Sequence, residues 1–179
     1  MSLVGQRAPA FSMPAIMPSG DEKTVTNATY DNRWLVLFFY PHDFTFVCPT
    51  EITAFSDAYD QFRAEGADII GISTDSPHVH KAWLRASRDD GGLGPLAYPL
   101  ASDWTHDVTR AFGVYCAEEG AAYRGLFIIS PEGQVEYEVV HNLNVGRSVP
   151  EVLRVLQGLK AGGLCPVDWK PGEALLQAH

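Results

Sequence analysis

The sequence predicts an α/β protein built on a central mixed sheet with helices on both faces. Three observations predict it. Two apolar runs, residues 34–40 (WLVLFFY) and 68–74 (DIIGIST), lack polar alternation, as strands buried on both faces do. After each comes a segment with apolar residues at helical spacing, opening at residues 48 and 76. A third run, residues 125–130, passes through Ser130-Pro131-Glu132-Gly133 into the alternating run 135–140, which reads as a hairpin. Strands joined by right-handed helical crossovers and closed by a hairpin give a sheet covered on both sides.

The elements follow in order. Pro9, Pro14 and Pro18 frame short extended pieces, and Ser19-Gly20-Asp21 marks a turn. Residues 23–26 suit a short edge strand. The first buried strand ends at Pro41. A loop, residues 42–47, leads to Cys48-Pro49-Thr50-Glu51, with Pro49 at the first helical position. Ile52, Phe55, Tyr59 and Phe62 recur every three or four residues, an amphipathic helix ending near Glu65-Gly66. The second strand follows. Ser76-Pro77 opens a helix carrying Val79, Trp83 and Leu84, which breaks before Gly91-Gly92-Leu93-Gly94-Pro95. Residues 107–112 form a short helix ahead of the hairpin. Ser148 and Glu151 have the spacing of a capping box, with Pro150 in the first turn, and open a helix through Leu159. Ala161-Gly162-Gly163 releases a tail whose last residues, 175–179, suit a short helix. The 179 residues fit one domain and a tail, with no internal repeat.

Composition narrows the function classes. The formal net charge is -9 with only 13 basic residues, which argues against a nucleic-acid partner. The longest apolar run is far too short to span a bilayer, so no membrane partner is expected. The N-terminus lacks a basic segment followed by an apolar one, so no signal peptide is expected and the cytoplasm is the default compartment. Three cysteines are too few for a disulfide scaffold, whereas a transient catalytic disulfide stays open.

Cys48 follows a buried strand and starts a helix, the end of an open α/β sheet where ligands bind. A helix N-terminus offers unpaired N–H groups and a positive dipole end, which favour a thiolate. From position alone a reactive sulfur and a buried core cysteine both stand. Thr45, three residues earlier, supplies a hydroxyl. Glu51, three residues later, would oppose a thiolate unless it is held by an arginine. Arg124 and Arg147 can supply that charge if the fold brings them near; otherwise they are solvated surface groups. Cys165 lies beyond a diglycine break, in Leu164-Cys165-Pro166-Val167-Asp168-Trp169-Lys170-Pro171-Gly172. It is either a mobile resolving thiol or an incidental one. Cys116 reads as structural. His42, His78 and His80 form no metal pattern with the cysteines and read as surface groups or as residues supporting the site. No Cys-x-x-Cys, Gly-x-Gly-x-x-Gly or Walker pattern occurs, so no metal or nucleotide cofactor is expected.

The segment FYPHDFTFVCPTE, residues 39–51, closely resembles the active-site segment of the typical two-cysteine peroxiredoxins, the alkyl hydroperoxide reductase C group. The likeness continues through residues 71–76, the Trp83 helix, residues 124–129, residues 145–148 and residues 165–172, so it covers nearly the whole chain. It implies a thioredoxin-like peroxidase domain over residues 1–160 and a tail, residues 161–179, carrying the resolving cysteine. Cys48 would attack a hydrogen peroxide or organic hydroperoxide and become a sulfenic acid. Arg124 would stabilise the thiolate, and Arg147 would orient Glu51. Pro41 would shield the sulfur, Thr45 would hydrogen-bond the peroxide, and Tyr40 and Trp83 would line or brace the pocket. Cys165 would attack Cys48 of the other subunit, which makes the working unit a homodimer that assembles into a decamer. Thioredoxin or a flavoprotein disulfide reductase would recycle the disulfide.

Two features depart from the resemblance, besides His42 where leucine is more usual. Gly91-Gly92-Leu93-Gly94 matches the glycine motif of overoxidation-sensitive members, but the tail lacks the matching Tyr-Phe pair. Ready disulfide formation and modest overoxidation are expected. Cys116 has no counterpart in the pattern. A holdase chaperone and a one-cysteine enzyme are the alternatives to a two-cysteine peroxidase.

Overall fold

The computed structural model describes residues 2–177. Strands β1 (Ser12–Ile16) and β2 (Glu22–Thr26) form an antiparallel hairpin, and a 3-10 turn, Asn27–Tyr30, leads into β3 (Trp34–Phe39). Helices α1 (Val47–Asp57) and α2 (Tyr59–Ala64) cross to β4 (Ala67–Ser73), and α3 (Pro77–Arg85) leads toward β5 (Leu100–Ser102). After α4 (Asp107–Ala111), a small hairpin of β6 (Tyr115–Cys116) and β7 (Ala121–Ala122) precedes β8 (Arg124–Ile129) and β9 (Val135–His141). Helix α5 (Val149–Ala161) is the last regular element among the described residues.

Seven strands make one mixed sheet in the order β2-β1-β5-β4-β3-β8-β9. β3, β4 and β5 are parallel, and β8 runs antiparallel against β3. Both faces are covered, as the unbroken apolar runs predict. Leu35, Leu37 and Phe39 point to one core with Phe112 and Phe127, while Val36, Phe38 and Tyr40 point to the other with Phe55, Trp83 and Leu156. The second core receives α1, α2, α3 and α5, and the first receives α4 and the N-terminal segment.

The structure differs from the sequence expectations at several places. Helix α1 starts at Val47, so Pro49 is its third residue and not its first. The shift is cheap, because the first four helical N–H groups have no intrahelical partner and proline merely lacks one of them. The expected single helix is two, joined at Ala58 by a tighter turn in which Gln61 N–H donates to the Ala58 carbonyl at 3.0 Å. β1 and β5 complete the sheet although their sequences carry no strand signal. Ser148 Oγ caps α5 by accepting the Glu151 N–H, but the Glu151 carboxylate turns to Arg154 at 2.6 and 2.7 Å, so only half of the capping box forms. In the tail, Leu176 pairs with Leu164 in an antiparallel bridge, so residues 175–177 are not helical; residues 178–179 lie outside the described part.

Candidate active site

The site is built where β3 hands over to α1. Pro41 turns the chain out of β3, and Cys48 returns as the second residue of α1, fully buried. Phe38 of β3 faces Leu126 of β8, so Arg124, two residues earlier on the antiparallel strand, reaches the same end of the sheet. The loop between β9 and α5 brings Arg147 to that end as well. Sequence alone left both arginines free to be surface groups; both are buried, as is Glu51.

The three charged side chains form one cluster against the sulfur. Arg124 Nη1 donates to Cys48 Sγ at 3.4 Å and to Glu51 Oε2 at 2.7 Å, and Arg124 Nε donates to the Leu143 carbonyl at 2.6 Å. Arg147 donates from its backbone N–H and from Nε to Glu51 Oε1, each at 2.7 Å. Its Nη1 is anchored on the carbonyls of Phe39 and Gly125. Burial opposes ionisation of Glu51, but the hydrogen bonds and charge of Arg147, helped by Arg124, win and hold its carboxyl below the usual carboxylate range. Two guanidiniums thus share one carboxylate. One excess positive charge remains, and the group it faces is Cys48, at the N-terminus of a helix.

A cavity of about 260 Å³ opens beside this cluster, walled in part by Pro41, Phe46, Val47 and Leu143, with Thr45 and Arg124 on its wall. The Thr45 hydroxyl donates to the His42 carbonyl at 2.9 Å, which fixes its oxygen at the cavity wall. Tyr40 is buried behind the loop, and Trp83 packs against Phe44 with ring centroids 5.6 Å apart. Among the described residues, no three His, Cys, Asp or Glu side chains cluster as a metal site requires.

The Cys48 loop rests on a network that motif matching misses. Asp43 accepts the Tyr40 hydroxyl at 2.8 Å and pairs with His80 Nδ1 at 2.7 Å, while His80 Nε2 faces the Ala101 carbonyl at 3.1 Å. Of the three histidines weighed in the sequence, His80 is fully buried, His78 is exposed and His42 lines the cavity. Of the two readings the sequence allows for His80, the surface one fails and support of the Cys48 loop fits its position. Both of its ring nitrogens meet acceptors, which favours the doubly protonated ring.

Cys165 stands apart from this cluster. It is half-buried against α5, its thiol donating to the Gly158 carbonyl at 3.6 Å, and it borders an open groove with Arg154 and Val167. Val149, which packs in the core with Cys48, and Gly158 are nine residues apart on α5, about 14 Å of helix rise. A disulfide needs its sulfurs about 2 Å apart. Of the six other sequence candidates, Pro41, Thr45 and Arg124 line the cavity, and Arg124 joins it to the buried cluster of Cys48, Glu51 and Arg147. Cys116 is buried on β6.

Comparison with known proteins agrees with the resemblance in the sequence. Residues 4–138 match the AhpC/TSA family. The chain is 53% identical over 176 residues to the putative peroxiredoxin YkuU of Bacillus subtilis (strain 168), covering 97% of this chain and 98% of that protein. It is 46% identical over 177 residues to the chloroplastic 2-Cys peroxiredoxin BAS1 of Hordeum vulgare, covering 97% and 84%. Among solved structures, the reduced 2-Cys peroxiredoxin of Plasmodium vivax superposes with a TM-score of 0.94 at 32% identity, over 97% of this chain and 92% of that one. The fold is thioredoxin-like.

Proposed function

The chain belongs to the AhpC/TSA family as a typical two-cysteine peroxiredoxin, an antioxidant thiol-dependent peroxidase, and from that premise we propose how its own residues run the cycle. Cys48 is the peroxidatic thiol. The single observation that carries this is the Arg124 guanidinium, which meets both the Cys48 sulfur and the Glu51 carboxylate inside a buried cluster of excess positive charge.

The thiolate attacks the near oxygen of a hydroperoxide, the O–O bond breaks, and the far oxygen leaves with one proton as water or an alcohol. Cys48 becomes a sulfenic acid. Charge moves from sulfur to the departing oxygen, so fixed donors at the cavity wall, Arg124 and Thr45, serve this step by following that charge without reorganising. Pro41 and the apolar wall keep bulk water from the sulfur. Hydrogen peroxide and organic hydroperoxides are the substrates of this reading, the apolar wall of Phe46, Val47 and Leu143 accepting an alkyl group.

Cys165 then attacks the sulfenic sulfur, and water leaves as the disulfide forms. The length of α5 between the two cysteines favours a partner subunit as the source of that thiol. The N-terminal segment covers the start of β9, where Val135 exchanges backbone hydrogen bonds with Gly5 and Gln6, and the rest of that edge strand, with exposed Val140, is left to face a second copy. A homodimer, further assembled into a decamer, is the form we propose. The first turn of α1 must open to release buried Cys48. A dithiol reductant, either thioredoxin or a flavoprotein disulfide reductase, closes the cycle, and the cytoplasm supplies such reductants. Non-reducing gel electrophoresis after one equivalent of peroxide tests the disulfide. Wild type and Cys116→Ser should run as covalent dimers, and Cys165→Ser as a monomer; a dimer band retained in Cys165→Ser removes Cys165 from the scheme.

A further inference from the structure

Among the described residues, Glu119 is the one carboxylate on the wall of the cavity that Arg124 shares with the buried Cys48 cluster. It sits in the connection of the β6–β7 hairpin, five residues before Arg124. The hairpin holds it in place: Tyr115 pairs with Ala122 and Cys116 with Ala121, Gly120 turns with a φ of 62°, and the Thr74 hydroxyl reaches the Gly120 carbonyl at 3.5 Å. Nothing nearby balances its charge. Glu119 takes part in no ion pair among the described residues. Arg124, the cation of the cavity wall, is occupied by Glu51, the Leu143 carbonyl and Cys48. Arg110 lies over the Tyr115 ring at 4.3 Å and donates to the Thr105 carbonyl, so it too is engaged elsewhere. His42 and Thr45 add polarity to the wall, and Phe46, Val47 and Leu143 add apolar surface suited to an alkyl chain.

We infer that Glu119 is a specificity-determining residue, a charge filter on the exposed wall of the cavity beside Cys48 that favours uncharged hydroperoxides over those bearing a negative charge. This rests on the peroxidase reading of the same site. A peroxide carrying a carboxylate meets a like charge at Glu119, while the one guanidinium on the wall, Arg124, is turned to Glu51, the Leu143 carbonyl and the sulfur. An uncharged hydroperoxide of the same size meets only the apolar and polar wall. The chain's net charge of -9 acts in the same direction at longer range.

The test compares linoleic acid hydroperoxide with its methyl ester, which differ at neutral pH by one charge far from the peroxide. Single-turnover oxidation of Cys48 is measured at low ionic strength in wild type, Glu119→Gln and Glu119→Lys; Glu119 is exposed, so both substitutions leave the core alone. The acid-to-ester rate ratio should rise about two- to fivefold in Glu119→Gln, the range for one partly solvated charge, and further in Glu119→Lys. Added salt should shrink the difference between the proteins, because the charges are screened. An acid-to-ester ratio that is the same in all three proteins overturns the filter while leaving the peroxidase intact. Failure of wild type to reduce hydrogen peroxide itself removes the peroxidase reading, and the filter with it.

Discussion

Glu51 Oε1 accepts two hydrogen bonds from a single residue, the backbone N–H and the Nε–H of Arg147, each at 2.7 Å. The backbone bond fixes the β9–α5 loop on α1, and the side-chain bond aims the guanidinium. Glu51 Oε2 is thereby presented to Arg124, which meets the sulfur. The carboxylate three residues from Cys48 thus sets up the charge at the sulfur instead of opposing it.

Replacing Glu51 by glutamine leaves two buried guanidiniums without their counter-charge. Breaking a buried pair in this way costs about 3–5 kcal/mol. Denaturant titration of Glu51→Gln should show a loss of that size at neutral pH. The wild-type pH dependence has a definite sign. The folded-state pKa of Glu51 lies below its ordinary value of 4.5, so its contribution is complete above that value and is lost as pH falls through the depressed one. Between pH 4.5 and the acid limit, Glu51→Gln should therefore lose less stability than wild type.

Arg124→Lys tests geometry against charge. Lysine keeps the positive charge but lacks the planar fork that serves Cys48, Glu51 and the Leu143 carbonyl together. The second-order rate of Cys48 oxidation should fall on the order of a hundredfold, the usual loss of one preorganised donor. Stopped-flow kinetics with hydrogen peroxide reads it, and a wild-type rate in Arg124→Lys would show that charge alone suffices.

His80 gives the Cys48 loop a pH dependence of opposite sign. Burial lowers its pKa, but the hydrogen bond and charge of Asp43, with the Ala101 carbonyl and Asp75, outweigh that and raise it above the ordinary 6.5. Its contribution is complete below pH 6.5 and is lost as pH rises through the raised value. Unfolding midpoints measured from pH 6 upward should decline in wild type. In His80→Gln the midpoint should start lower and stay flat over the same window.

The glycine motif has a structural duty of its own. A side chain at Gly92 would run into the Ala86 carbonyl, so the bend that follows α3 requires glycine there. The aromatic pair that would partner this motif is missing from the tail. Mass spectrometry of Cys48 through repeated turnover should find mainly the disulfide and little sulfinic acid; abundant sulfinic acid at low peroxide would contradict this.

Parts of this structure were legible in the sequence for definite reasons. The nearly unbroken apolar runs at β3, β4 and β8 announce a doubly covered sheet because both faces of such strands pack against apolar side chains. The cluster of site residues was legible only through resemblance. Glu51 meets Arg124 across 73 positions and Arg147 across 96, and no local spacing reports such contacts. β5 escaped because it is three residues long and follows Pro95 and Pro99; its burial comes from lying between β1 and β4. β1 escaped because Pro14 argues against a strand, yet Pro14 sits one residue outside the β1–β5 ladder, where its missing N–H costs nothing. A supporting role for His80 is one of the two readings its sequence allows, but its partner Asp43 is not legible, because no local spacing reports a buried acid–imidazole pair 37 residues apart.

Peroxide consumption with dithiothreitol as reductant tests most directly whether Cys48 is the peroxidatic thiol. Dithiothreitol takes the place of the biological reductant, so the readout does not depend on which one the protein uses. Wild type and Cys165→Ser should both consume hydrogen peroxide, since a small dithiol can reduce the sulfenic acid without a resolving thiol. Cys48→Ser should consume none above background. A Cys48→Ser protein that keeps the wild-type rate would contradict the account at its centre.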